Sequence, residues 1–185
     1  NSSNHFIFPN SKKPFSIDSV SFTTKKSTTR KSFENLLSEN ETVAFLVIKN
    51  DSILYENYFS KYEEESVVAS FSMAKSVLSL LIGCAIDDGK IKSIDEPITN
   101  YLPELKNNGF DKVKISNLLN MTSGIEFNES YYNPFGNAAS IYYGTDLRKE
   151  ISKLKITKNP SPNFKYSSGD SQILGLVLHA SLKGQ

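Results

Sequence analysis

The sequence predicts an α/β (α+β) domain in which an antiparallel sheet is flanked by helices. Two observations support this fold class. Residues 43–59 have the pattern of a β-hairpin, because the continuously apolar run "VAFLVI" is followed by the turn residues "KNDS" and by a return strand, "ILYENYF". After residue 60 the apolar residues recur at helical spacing, in segments separated by Gly, Pro and Asn.

The hairpin also predicts that the sheet has further strands. A two-stranded hairpin is marginally stable alone, and a continuously apolar strand is typical of a strand buried on both faces. No convincing third strand pattern follows residue 60. We therefore expect this chain to be the N-terminal part of a larger α/β unit whose C-terminal strands it lacks.

Along the chain, residues 1–31 are predicted to form a polar arm and residues 32–185 the folded domain. A long helix is expected from about residue 70 to Asp88, with Gly89 as its stop, and a last apolar helix over Ser171–Ser181. Shorter helices are predicted within "TRKSFENLLSEN", "SIDEPITNYLPEL", "KISNLLNMTSG" and "TDLRKEISKLKIT". Residues 126–144 are predicted to form an aromatic loop rich in Asn and Gly.

Composition limits the classes of function. The formal net charge of the 185 residues is +1 and both signs are interleaved, which gives no electrostatic case for nucleic acid or an anionic membrane. The longest apolar run is about a dozen residues, too short to cross a bilayer. The single Cys84 cannot form an internal disulfide and is predicted to be a small core residue. The polar start, without an initiator Met, favours an exported protein.

Several catalytic systems are disfavoured by the residues present. The two histidines are His5, in the polar arm, and His179, inside an apolar helical run where packing or exposure is the ordinary explanation. No G-x-S-x-G elbow, zinc-ligand spacing or glycine-rich phosphate loop occurs. The sequence therefore predicts neither a Ser-His-Asp site nor a metal or other cofactor.

A serine with a base other than histidine remains, and Ser72-x-x-Lys75 has the required spacing. Residues i and i+3 share one face of a helix, so the lysine can return to the serine hydroxyl. Backbone N–H groups at the start of a helix point outward and suit an oxyanion. The motif alone is at chance frequency, since it occurs again at Ser152 and Lys155 in a charged helix.

The context of Ser72 distinguishes it from Ser152. Its helix has an apolar stripe and a second stripe of small residues around one lysine, whereas a solvated face usually carries several long charged side chains. The apolar stripe is Val77, Leu78, Leu81, Ile82 and Ala85, and the small residues beside Lys75 are Ser72, Ser76, Ser79 and Gly83. From the residues alone, a catalytic pair and a polar helix face both stay open.

A second candidate is the segment Tyr166-Ser167-Ser168-Gly169-Asp170, which places a phenol and two hydroxyls before the last helix. Ser168 or Asp170 can serve simply as a helix cap. Alternatively, Tyr166 beside a cationic lysine would have a lowered pKa and could transfer protons.

Together, these segments resemble the serine β-lactamase and penicillin-binding-protein superfamily, in its class C-like branch. The matching segments run in order from Val43 to Ser181: the hairpin, "FSMAKSVLSLLIG", "YLPEL", "LLNMTSG" and "YSSGD". The wording of "FSMAKS" and "YSSGD" is closest to members that resemble 6-aminohexanoate-dimer hydrolases. The resemblance implies a β-lactamase-like fold, with a helical subdomain beside the sheet.

That resemblance implies a serine hydrolase that cleaves an amide or ester of a small molecule through an acyl-enzyme. Ser72 would be the nucleophile, Lys75 its partner base and Tyr166 the proton relay to the leaving group. The backbone N–H of Ser72 would form half of the oxyanion hole. Ser168 would contact the substrate, but it stands where related β-lactamases and peptidases often have Asn, which favours an amidase or esterase over β-lactam turnover.

One family element has no match in the sequence. The Lys/His-Thr/Ser-Gly strand, which lines the pocket opposite the nucleophile and supplies the second oxyanion donor, is not found after Tyr166. We therefore expect a missing C-terminal portion of the same domain to complete the site. The alternative function is a non-catalytic module on the same scaffold that binds or senses penicillin or cell-wall peptides.

Overall fold

A computed structural model describes residues 7–13, 16–23 and 27–183, and it divides into two compact units that meet in sequence between Ala69 and Ser70. The first unit holds two antiparallel hairpins, β1 (Ser19–Thr23) with β2 (Thr28–Ser32) and β3 (Ala44–Lys49) with β4 (Ser52–Tyr58). Helix α1 (Phe33–Glu39) directly follows β2. The first hairpin lies in the stretch where no strand was predicted, since its short Ser- and Thr-rich strands lack a continuous apolar run.

The predicted hairpin is confirmed, and its turn has a physical cause. Asn50 and Asp51 have φ values of 50° and 54°, the left-handed pair that a type I′ hairpin turn requires and that Asn and Asp tolerate. The expectation that this strand is buried on both faces is wrong for the described residues. Burial alternates along β3, and Leu46 and Ile48 are exposed. The opposite face of the hairpin packs Phe45 and Tyr55 edge-on against Phe33.

The second unit is helical. Its helices are α2 (Ala74–Asp87), α3 (Ile115–Leu119), α4 (Asn137–Tyr143), α5 (Leu147–Ser152) and α6 (Ser168–Ser181). Short 3₁₀ segments cover Phe71–Met73, Ile98–Asn100, Pro103–Asn108 and Phe110–Lys112. Within the described part of the chain, no strand follows Tyr58. The core packs α2, α3 and α6 around fully buried side chains, among them Ile82, Phe110, Ile115, Ile173 and Val177.

Helix α2 ends at Asp87 with Asp88 as its C-cap and Gly89 (φ 68°) behind it, close to the predicted end, but it buries only part of the predicted apolar stripe. Ile82 and Ala85 are buried, whereas Val77, Leu81 and the predicted core residue Cys84 are exposed. The prediction for Cys84 is therefore wrong. Apolar side chains of α2 lie on most sides of the helix, so their periodicity could not indicate which side faces the core.

Two other predictions differ from the structure: α6 begins earlier than expected, and a helix lies in a segment expected to be a loop. Helix α6 begins at Ser168, three residues before the predicted start, because the Ser167 hydroxyl caps it by accepting from the Asp170 N–H at 3.2 Å. Helix α4 falls in the segment predicted as an aromatic loop, where β-branched and aromatic residues outweigh strong helix formers. His179 is exposed, one of the two ordinary explanations left open by the sequence, and His5 and Gly184 lie outside the described residues. None of the described helices is long and apolar enough to span a membrane.

Candidate active site

Ser72 lies in the 3₁₀ turn that leads into α2, and this turn brings Lys75 to its hydroxyl. Lys75 is the second residue of α2, three positions after Ser72, so the two side chains lie on the same face where the turn continues into the helix. The Lys75 Nζ donates a hydrogen bond to Ser72 Oγ at 3.0 Å. Ser72 itself is exposed and Lys75 is half-buried. The pair is therefore in contact, and its hydroxyl is accessible to a substrate.

Phe71, immediately before Ser72, has an unusual backbone conformation. Its φ is 44°, in the left-handed region that a bulky residue rarely adopts, and its ring is exposed. Such a conformation costs of order 1–3 kcal/mol, and residues of this kind cluster at active sites. Burial of the Phe71 ring does not compensate this strain, because the ring is exposed. A strained turn directly before Ser72 is therefore of the kind that is found at active sites.

Tyr166 reaches the same hydroxyl from a distant part of the sequence. Its phenol donates to Ser72 Oγ at 2.9 Å, and Lys75 Nζ lies 5.5 Å from the centre of its ring. The hydrogen bond with Ser72 is the main cause that lowers the pKa of Tyr166, and Lys75 lowers it further through a hydrogen bond and its charge. Partial burial acts in the opposite direction. The three predicted catalytic side chains are thus brought together around one oxygen.

Ser168 has a partner that the sequence did not indicate. Its backbone N–H and its hydroxyl both donate to the carboxylate of Glu129, the hydroxyl at 3.0 Å. Glu129 therefore sits at the start of α6, where a negative charge interacts favourably with the helix dipole. The only sequence signal for Glu129 is an acid within an otherwise aromatic, Asn-rich segment. A substrate contact by Ser168 stays a prediction.

Asp170, four residues after Tyr166, is a buried carboxyl. It is 1% exposed, and its Oδ1 accepts from the Ser123 hydroxyl at 2.5 Å. Its Oδ2 has no hydrogen-bond partner among the described residues. Burial is the main cause that raises the pKa of Asp170 to about 7, against the lowering effect of Ser123, and the charge of Glu129 raises it further.

The surroundings of the three side chains are open. A cavity of about 520 Å³ borders the segment around Tyr166 through Lys165 and Ser167, but Ser72, Lys75 and Tyr166 do not line it. The second Ser-x-x-Lys match is not a comparable pair, because the Ser152 hydroxyl donates to the Lys149 carbonyl at 2.8 Å. Among the described residues, no cluster of three or more His, Cys, Asp or Glu is placed to hold a metal.

The sequence and the fold are matched by known proteins of one class. The family model "Beta-lactamase" matches residues 31–185, so the chain belongs to the β-lactamase family, within the serine β-lactamase and penicillin-binding-protein superfamily. This confirms the resemblance found in the sequence and the β-lactamase-like fold class. The family is one of serine hydrolases.

Two of the proteins that this chain resembles carry the name 6-aminohexanoate-dimer hydrolase. The chain is 33% identical over 101 residues to the "6-aminohexanoate-dimer hydrolase" of Paenarthrobacter ureafaciens, a stretch that covers 55% of this chain and 26% of that protein. It superposes with a TM-score of 0.77, at 23% identity, on the "Putative 6-aminohexanoate-dimer hydrolase from Bacillus anthracis", covering 96% of this chain and 49% of that one.

A second solved structure shows the same fold. The "putative beta-lactamase from Bacteroides dorei DSM 17855" superposes with a TM-score of 0.64 at 23% identity, over 80% of this chain and 45% of that one. The chain therefore spans about half the length of these two structures and about a quarter of the curated relative.

Proposed function

We propose that this chain carries the nucleophile of a serine hydrolase that cleaves a small-molecule amide or ester through an acyl-enzyme. One observation carries the proposal: Ser72 Oγ accepts hydrogen bonds from two titratable groups, Lys75 Nζ at 3.0 Å and Tyr166 Oη at 2.9 Å, and either group can take its proton once it is deprotonated. A polar helix face does not require this convergence, because a phenol 94 residues away in sequence has no reason to meet a solvated serine.

The proposed reaction starts with attack of Ser72 Oγ on the substrate carbonyl carbon, while its proton passes to the base formed by Lys75 and Tyr166. The carbonyl oxygen becomes an oxyanion, and the Ser72 N–H, in the turn that leads into α2, is the proposed donor that stabilises it. The C–N or C–O bond then breaks, Tyr166 returns the proton to the leaving amine or alcohol, and the acyl group stays on Ser72. Water, deprotonated by the same base, releases the acid and restores the hydroxyl.

The substrate class follows from the relatives and from one departure in sequence. The curated relative is named a 6-aminohexanoate-dimer hydrolase, and Ser168 stands where the resemblance associates an Asn with β-lactam recognition. These two points favour amide or ester substrates. A second oxyanion donor is proposed to come from the part of the fold that the longer relatives possess. No cofactor takes part in this chemistry.

The proposal is tested by treating the full-length protein with a fluorophosphonate and weighing it. One adduct per chain is expected on wild type and on the control Ser152→Ala, and no adduct on Ser72→Ala. Equal labelling of Ser72→Ala and wild type would contradict the proposal. With an ester substrate, an adduct that forms but never hydrolyses would identify the alternative binding or sensor module instead.

A further inference from the structure

We propose that two side-chain pairs, Ser123 with Asp170 and Glu129 with Ser168, form a clamp that positions the Tyr166 phenol against Ser72. Asp170 and Glu129 are then positioning residues, since they act through Tyr166 and touch no reacting atom. This inference rests on the proposed function and adds to it the residues that hold the proton-transfer group in place.

Tyr166 needs such a clamp because packing does not fix it. Its side chain is 42% exposed, and residues 161–166 are exposed and belong to no helix or strand. Burial resumes abruptly at Ser167, with Gly169 and Asp170. The phenol must nevertheless stay within hydrogen-bonding distance of Ser72 Oγ, and displacement of a catalytic group by about 1 Å can cost about 10²-fold in rate. The restraint is therefore expected from the backbone on either side of Tyr166, above all from the first turn of α6.

The first pair joins α6 to the segment that follows α3. The Ser123 hydroxyl accepts from the Ile125 N–H at 3.1 Å, so its own proton is free to be donated to Asp170 Oδ1. Both side chains are almost fully buried, which makes this hydrogen bond costly to break. Removal of the Ser123 hydroxyl would leave both carboxyl oxygens of Asp170 without a side-chain donor.

The second pair, Glu129 with Ser168, also joins the segment after α3 to the start of α6. Glu129 receives both donors of Ser168, the backbone N–H and the hydroxyl. The N–H belongs to the first turn of α6, where backbone donors have no intrahelical partner. Because two hydrogen bonds from one residue fix both position and orientation, this contact sets the direction in which the chain enters α6 from Tyr166.

The backbone between the pairs is also in close contact. The Lys165 N–H donates to the Met121 carbonyl at 3.0 Å, directly before Tyr166. On the other side of Tyr166, Phe127 packs so closely on Gly169 that an added Cβ would lie 2.5 Å from the ring. Residues 121–129 therefore hold the chain on both sides of Tyr166.

The charges around Asp170 make the clamp sensitive to pH. Glu129 faces Asp170 and opposes its ionisation, and the cavity that Asp170 borders also carries Glu126, Lys158 and Lys165. With Asp170 protonated, the clamp holds one negative charge. With Asp170 ionised, it holds two at close range, with one carboxyl oxygen unpaired, so the clamp is expected to loosen towards alkaline pH.

The clamp is tested by a double-mutant cycle that uses the rate of fluorophosphonate acylation of Ser72 in the full-length protein. Ser123→Ala is measured in the wild-type background and in the Tyr166→Phe background. We expect about a tenfold loss in the first and less than about a twofold loss in the second, because a clamp that acts through the phenol has nothing to position once the hydroxyl is gone. Val177→Ala, which removes buried volume from the same helix, controls for lost stability and should change acylation less than about twofold.

An equal loss in both backgrounds would overturn the inference, as would an unchanged rate in folded Ser123→Ala. If Ser123→Ala does not fold, the half-buried Glu129→Ala takes its place in the same cycle with the same two expectations. Failure of the proposed function is distinguished by Ser72→Ala: if that variant is labelled as fast as wild type, Ser72 is not the nucleophile, whatever the cycle shows.

Discussion

Tyr166 and Lys75 both donate hydrogen bonds to the oxygen of Ser72, and at the scale of single residues this makes them the candidates to take its proton in the proposed reaction. The pKa of Tyr166 is lowered by the hydrogen bond with Ser72 and by Lys75, so its phenolate becomes available below the usual tyrosine range. A phenolate that accepts the Ser72 proton would make acylation faster as pH rises towards that lowered pKa. The rate should level off once Tyr166 is ionised, and a fall caused by loosening of the clamp should be absent in Asp170→Asn, which cannot ionise at that position.

Substitution of Tyr166 by Phe tests this role. Tyr166→Phe is expected to lower the acylation rate about 10²-fold or more, the usual contribution of a general acid or base, and to remove the rise of the rate with pH. The rate is measured between pH 6 and 10, with Tyr62→Phe, an exposed tyrosine of the first unit, as the control. A Tyr166→Phe protein that keeps the wild-type pH dependence would assign the titration to another group.

Ser72, Lys75 and Tyr166 could be predicted as candidates from sequence because their motifs are local and occur in a known order. Glu129 could not, because its contact with Ser168 joins two segments 39 residues apart and no local rule pairs them. The burial of Asp170 could not be predicted either, since an acid in the first turn of a helix is ordinarily a solvated cap. The catalytic and substrate roles of the four predicted residues stay predictions.

At the scale of elements, the first turn of α6 depends on one close approach. Gly169 lies against the Phe127 ring, and a Cβ added there would meet a ring carbon at 2.5 Å. Gly175, in the middle of the same helix, has no atom within 4 Å of the corresponding position. Two glycines of one helix therefore differ in their reason for lacking a side chain, which allows a matched comparison.

Gly169→Ala is expected to lower the free energy of unfolding by about 1–3 kcal/mol, because the ring or the helix must shift. Gly175→Ala is expected to raise it by up to about 1 kcal/mol, because Ala loses less backbone entropy in a helix. Urea titrations of both variants measure the difference. If both substitutions were stabilising, the close packing of Phe127 on α6 would be wrong.

The elements also show how far a hydrophobic pattern can be interpreted. The β3–β4 hairpin and the end of α2 were predictable because turn residues and Gly89 act locally. The buried face of α2 was not, since Val77 and Leu81 continue the apolar pattern but lie on the exposed side. The choice between two apolar faces is made by tertiary contacts with α6, which a single segment does not encode.

At the scale of the whole molecule, the burial of Asp170 makes the free energy of unfolding depend on pH. Burial raises its pKa to about 7 in the folded protein, whereas in the unfolded chain it ionises near its ordinary value of 3.8. The unfolded state therefore releases the proton first as pH rises, and the free energy of unfolding falls between about pH 4 and pH 7. A difference of about three pH units corresponds to at most about 4 kcal/mol. Glu96, whose pKa is lowered mainly by its hydrogen bond from Tyr101, acts in the opposite sense and only below its ordinary pKa of 4.5.

The contribution of Asp170 is isolated by comparing wild type with Asp170→Asn, so that all other groups cancel. Asn keeps the acceptor for the Ser123 hydroxyl but cannot ionise. The wild type is therefore expected to lose stability relative to Asp170→Asn as pH rises from 4.5 to 7.5, with a constant difference above that range. Urea unfolding at five pH values measures this difference, and Asp87→Asn, an exposed carboxyl on α2, controls for the change in net charge. A difference between wild type and Asp170→Asn that does not vary with pH would show that Asp170 is ionised normally in the folded protein, and the pH sensitivity of the clamp would have to be abandoned.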